Sequence, residues 1–106
     1  MKKTDLQLIE ESLSSANYLS EGRTSFNILV ERYAPSVYLF IFKLVGNKED
    51  SEDIVQETFI KAWQKLAKFD TDLSFKTWLF SIAKNSAVDK LRKKKSIAFS
   101  SLNILD

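Results

Sequence analysis

Apolar residues recur at steps of three and four along nearly the whole chain and rarely alternate, so the pattern predicts helices and no sheet. Thr4 is placed to cap a first helix running to about Leu19, with Leu6, Ile9 and Leu13 on one side and Glu21-Gly22 ending it. A second helix runs from about Thr24 to Val45 through Phe26, Leu29, Val30, Tyr33, Val37, Phe40, Ile41 and Leu44, and Gly46-Asn47 stops it. Pro35 falls inside that run and removes one backbone donor; the apolar face stays in phase across it, which favours a kink over a break. The third helix spans Asn47 to Leu66. Ile54, Val55, Thr58, Phe59, Ala62, Trp63 and Leu66 share its broad apolar face, and Asp53, Gln56, Glu57, Ile60 and Gln64 lie opposite. A turn over Phe69–Ser74 leads into a fourth helix, capped by Ser74, that carries FKTWLFSIAKNSAVDKLRKKK. After Lys95 the periodicity ends, and IAFSSLNILD reads as a tail or linker. The expected fold is all-α, a compact bundle of about four helices.

Composition narrows the chemistry. A chain of 106 residues forms one domain with a real core, burying roughly 60–70% of its unfolded surface. With 44% hydrophobic residues, including eight Phe, three Tyr and two Trp, it is no disordered segment. Cys and His are both absent, which excludes disulfides, thiolate or imidazole metal sites and Ser-His catalysis. No cofactor or metal is expected, and the chain does not read as an enzyme. MKKTDLQLIEE reaches Asp5 and Glu10 before any signal-like apolar run. The longest apolar run, Val37 to Val45, contains Lys43 and is about half the ~20 residues of a spanning helix. The expectation is a cytoplasmic protein without membrane insertion.

Charge is distributed unevenly. Residues 75–95 hold seven cations and one anion, whereas residues 1–74 hold nine cations and twelve anions. A positive helix on an acidic body suits an element laid on a polyanion while the remainder meets other partners. Trp78, Ile82, Asn85, Asp89 and Arg92 fall within about 80° of arc on that helix. An aromatic plane, an amide and a guanidinium suit base stacking, base-edge reading and phosphate binding. Trp78 and Phe69 equally suit core packing, and lysines at a helix end also complement its dipole. On the third helix, Glu49, Asp50, Glu52, Asp53 and Glu57 complement the N-terminal dipole and point to several sides, which disfavours a metal site. Ile60, apolar on the polar face, marks a surface suited to a basic partner helix.

Together, DSEDIVQETFIKAWQKL at 50–66, the FD loop and SFKTWLFSIAKNSAVDKLRKKK resemble region 2 of bacterial RNA polymerase sigma factors, most of all the extracytoplasmic-function (ECF) group. FNILVERYAPSVYLFIFKLVGN at 26–47 resembles the preceding part of that region, so the similarity covers about residues 5–95. The resemblance implies that Asp53, Gln56, Glu57, Ile60 and Gln64 dock on the clamp helices of the largest subunit of core RNA polymerase. It further implies recognition of the minus-ten promoter element, with an unstacked base of the non-template strand captured by the loop Phe69, Asp70, Thr71, Asp72, Leu73 and Ser74. Trp78, Lys84, Asn85, Val88 and Arg92 would lie on the DNA helix, and Lys76 and Lys93 complete the candidate DNA-binding set. An anti-sigma factor is a further implied partner. Ser81-Ile82 stand where housekeeping sigma factors carry two adjacent Trp for strand separation, as is typical of the ECF group. On this reading residues 1–95 form the region 2 domain and 96–106 lead towards an absent helix-turn-helix domain.

Two other readings compete. A sigma-like mimic would bind an anti-sigma factor without contacting DNA, but would not need the cationic stripe. A basic helical module for membranes or acidic proteins would not need Trp78 and Asn85 in register with the cations.

Overall fold

The computed structural model describes residues 2–14 and 21–105, and side chains within residues 2–14 and 23–95. Four α-helices follow in order: α1 (Asp5–Leu13), α2 (Glu21–Val45), α3 (Lys48–Lys65) and α4 (Phe75–Leu105), with a 3-10 turn at Leu66–Lys68 after α3. The all-α bundle expected from the periodicity is observed.

Local chemistry sets most helix ends. Thr4 Oγ1 accepts from the Gln7 amide at 3.2 Å and the Gln7 side chain accepts from the Thr4 amide at 2.8 Å, a reciprocal cap. α1 ends at Leu13, short of the expected Leu19, and Ser14 is extended; the rest of that expected stretch, residues 15–19, lies outside the described residues. Glu21-Gly22 opens α2 where the sequence reading had it close α1. The first amides of a helix need no intrahelical acceptor, so a glycine is tolerated there. Gly46, at φ 67°, donates its amide to the Phe42 carbonyl at 2.7 Å and stops α2, as predicted. Asn47 caps α3 through the Asp50 amide at 2.9 Å. α2 passes through Pro35 without a break, the exposed ring facing away from the core.

α1 packs on α2, α2 on α3, and α4 on both α2 and α3. Leu8, Ile9, Leu29, Val37, Ile41, Ile54, Ala62, Leu66, Leu79, Ala83 and Ala87 form the buried centre. The buried face of α1 is turned from the predicted one: Leu8 and Ser12 are buried with Ile9, while Leu6 and Leu13 are exposed. Ser12 can be buried because its hydroxyl donates to the Leu8 carbonyl at 2.7 Å. Thr58 is accommodated the same way, donating to the Ile54 carbonyl at 2.7 Å. Arg32 on α2 ties down α1, donating to Asp5 at 2.7 Å and to the Lys3 carbonyl at 2.8 Å, and the Tyr33 hydroxyl donates to the same Asp5. α4 stays helical through residues 96–105, where a tail was expected. That segment contains neither Gly nor Pro to end it.

Candidate nucleic-acid interface

The loop before α4 is built from its own turn chemistry. The Phe69 amide closes the 3-10 turn on the Leu66 carbonyl at 3.0 Å. The Asp70 carboxylate then accepts from the Asp72 amide at 2.9 Å, while its carbonyl accepts from Leu73 at 3.0 Å. Ser74 Oγ accepts from the Thr77 amide at 3.3 Å, giving α4 the predicted cap. Asp70, Thr71, Asp72, Leu73 and Ser74 are all exposed, whereas Phe69 is buried at 8% exposure. Its ring lies 5.0 Å from Trp78 and 5.8 Å edge-on from Phe75, and Phe75 in turn meets Tyr33 at 5.7 Å. Of the two roles open to Phe69, core packing is the observed one. This aromatic cluster is the anchor from which the polar loop projects.

The predicted stripe on α4 straddles the edge of the core. Ile82, at its inner side, is buried; Trp78 is half-buried against Phe69; Asn85, Asp89 and Arg92 reach solvent. Ile82 therefore leaves the candidate face. Lys84, Asn85, Val88 and Arg92 share one outward arc of about 100°, continued by Thr77, Ser81 and Lys95.

The seven cations do not share one environment. Lys76 sits over the Phe80 ring at 5.8 Å. Arg92 pairs loosely with Asp89 at 4.0 Å. Lys90 and Lys94 turn inwards towards α3, Lys90 reaching Asp53 at 3.9 Å and Lys94 pairing with Asp50. Lys84, Lys93 and Lys95 are exposed and have no ion-pair partner among the described residues. The sequence flagged the cations as one run, but only the antiparallel packing of α3 and α4 reveals which are engaged.

On α3, Asp53, Gln56, Glu57, Ile60 and Gln64 are all exposed, Ile60 by 57%. Glu57 pairs with Lys61 at 2.9 Å, and Lys61 also donates to buried Ser86 on α4 at 3.0 Å. The Lys61–Ser86 and Asp50–Lys94 contacts escaped the sequence reading because their partners are distant along the chain. Ile60 and Gln64 border an open groove of about 450 Å³ floored by Phe26, Val30, Phe59 and Trp63, with Phe26 and Trp63 in ring contact at 5.0 Å. Among the described residues, no helix is long and apolar enough to cross a membrane and no acidic group is arranged to hold a metal ion.

The family model for sigma-70 region 2 matches residues 29–97. The chain belongs to the sigma-70 region 2 family. Its relatives include the ECF RNA polymerase sigma factors SigW and SigX of Bacillus subtilis, 39% and 37% identical over 67% and 69% of this chain. The RNA polymerase sigma-H factor of Pseudomonas aeruginosa is 36% identical over 65% of the chain. The matches span only 38%, 38% and 36% of those three relatives. An NMR structure of an engineered region 2 of sigmaE in complex with GTAAAA superposes with a TM-score of 0.77 and 35% identity, covering 90% of this chain and 95% of that one. The sigma region 2 resemblance of the ECF type read from DIVQETF, FKTWL and IAKN is thus correct. α1 precedes the matched segment but packs on α2 and the 3-10 turn, so it belongs to the same folded unit.

Proposed function

We propose that this chain is the promoter- and polymerase-binding domain of an ECF-type sigma factor, with residues 1–95 as the working unit and 96–106 leading towards a further domain. The observation that carries the reading is the likeness to a sigmaE region 2 bound to GTAAAA, together with an outward face on α4 that bears Lys84, Asn85, Val88 and Arg92 beside a polar loop. Lys84, Arg92, Lys93 and Lys95 neutralise phosphates of the minus-ten non-template strand, and Lys76 reaches the strand at the start of α4. Asn85, with a donor and an acceptor on one short side chain, reads a base edge. The Asp70–Ser74 loop encloses an unstacked base. Its two carboxylates repel phosphate and favour bases that present an amino group, which keeps the backbone on α4 and the base in the loop. Phe69 and Trp78 support that loop from beneath, Trp78 with part of its ring exposed for stacking.

The outer face of α3, with Asp53, Gln56, Glu57, Ile60 and Gln64, receives the clamp helices of core RNA polymerase. Bond-making chemistry belongs to the polymerase. The reading carries with it a cytoplasmic location and an anti-sigma factor as a regulatory partner. A pull-down of core RNA polymerase with Gln56→Ala and Ile60→Ala tests the α3 assignment. Both variants should retain less polymerase while stability moves by less than about 0.5 kcal/mol, as is usual for exposed positions. Retention equal to wild type with both would refute it.

A further inference from the structure

α3 and α4 run antiparallel, and three cross-helix polar contacts form a ladder between them: Asp50 with Lys94, Asp53 with Lys90 at 3.9 Å, and Lys61 with Ser86 at 3.0 Å. Among the described side chains of α4, the last in the buried core is Ala87. Beyond it, Lys90 and Lys94 meet α3 through the two carboxylates. The Asp50 side chain is 15% exposed and Lys94 is 54% exposed, so the carboxylate is enclosed while the ammonium stays at the surface. A carboxylate beside an ammonium group offsets its charge and occupies one of its three donors, so the group draws a phosphate less strongly than a free lysine does.

We propose that Asp50 and Asp53 act as internal substitutes for DNA phosphate, holding Lys94 and Lys90 back so that the free chain presents a nucleic-acid helix two cations short. This autoinhibitory contact rests on the assignment of α4 as the nucleic-acid helix. The two pairs persist in the bound state, and the remaining cations of α4 still meet phosphate, so the contact lowers affinity without abolishing binding.

The test is fluorescence anisotropy of a labelled oligodeoxythymidine strand over a salt series, using the full chain. Asp50→Asn/Asp53→Asn should bind about two- to thirtyfold more tightly at low salt, the range that two such pairs represent. Its slope of log affinity against log salt should steepen by about 1.4, or ~0.7 per freed contact. Glu49→Gln/Glu52→Gln makes the same change in net charge on α3 without touching a cross-helix pair, because Glu52 faces Lys48 of its own helix at 3.9 Å. That control should keep the wild-type slope. Adding Lys90→Gln/Lys94→Gln should leave the wild-type slope unchanged but remove the gain in the Asp50→Asn/Asp53→Asn background. Equal slopes for the Asp and Glu variants would overturn the proposal, since net charge alone would then account for any gain in affinity. If the wild-type chain shows no salt-dependent binding at all, the nucleic-acid reading falls; salt-dependent binding identical in every variant overturns only the autoinhibitory contact.

Discussion

Phe75 is the residue on which the loop's position depends. It is 5% exposed, and its ring meets Tyr33 at 5.7 Å, Phe69 at 5.8 Å and Trp78 at 5.7 Å. Phe75→Leu keeps an apolar side chain but removes all three ring pairs, each worth about 0.5–1.5 kcal/mol beyond area burial. The Phe69–Trp78 pair at 5.0 Å survives, and neighbouring losses do not add fully. The expected cost is therefore about 2 kcal/mol, which at ~4–8 °C per kcal/mol lowers the thermal midpoint by ~8–16 °C. Far-ultraviolet circular dichroism measures the midpoint. Strand binding, measured well below it, should lose matched-versus-mismatched discrimination more than total affinity, because the loop loses its support while the exposed lysines remain. A midpoint within ~2 °C of wild type, the scale of a surface substitution, would refute the anchoring argument.

Burial first, and then the hydrogen bond to Asp5, pushes the Tyr33 phenol up to about 12. Since the folded value lies above the free value near ~10, the stability it contributes is complete below pH ~10 and is lost as pH rises through the folded value. Wild type should therefore lose its advantage over Tyr33→Phe across that window, as read by urea midpoints at successive pH values; a constant difference would contradict this. Gly46→Ala places a side chain at φ 67° with nothing within 4 Å of the new Cβ. The loss is conformational only, about 1–2 kcal/mol, and chemical denaturation should show it without any change in strand binding.

The fold was legible because local signals and tertiary structure agree. Thr4, Gly46, Asn47 and Ser74 marked helix ends by chemistry confined to a few residues, and the apolar spacing of α2 and α3 matched their buried faces except at Leu44, which is exposed at the end of α2. The misses share a cause. Ser12 is buried with its hydroxyl satisfied by the carbonyl one turn back, so polarity did not imply exposure; Thr58, read correctly as core, is satisfied the same way. On α1, Ser12 disguised the buried face and gave Leu6 and Leu13 too much weight. At the site, Asn85 and Arg92 were readable on one arc, and both are exposed; Lys84 entered only through the family resemblance. The fate of Phe69, Ile82, Lys90 and Lys94 was not readable, since it depends on how α4 is rotated against α3 and on partners distant in sequence. Helical spacing fixes which residues share an arc, but packing decides where the arc meets the core.

The central claim is that α4 reads bases with Asn85 and grips the backbone with its free lysines. Anisotropy titration of Asn85→Ala and Lys93→Ala against a matched minus-ten strand and a single-base mismatch, with core polymerase present, separates the two roles. Asn85→Ala should lose about 1–3 kcal/mol of discrimination, the scale of a base-edge contact. Lys93→Ala should weaken both strands alike and reduce the salt slope by about one contact. If Asn85→Ala loses affinity equally for both strands, or loses none, Asn85 does not read a base and the claim is contradicted.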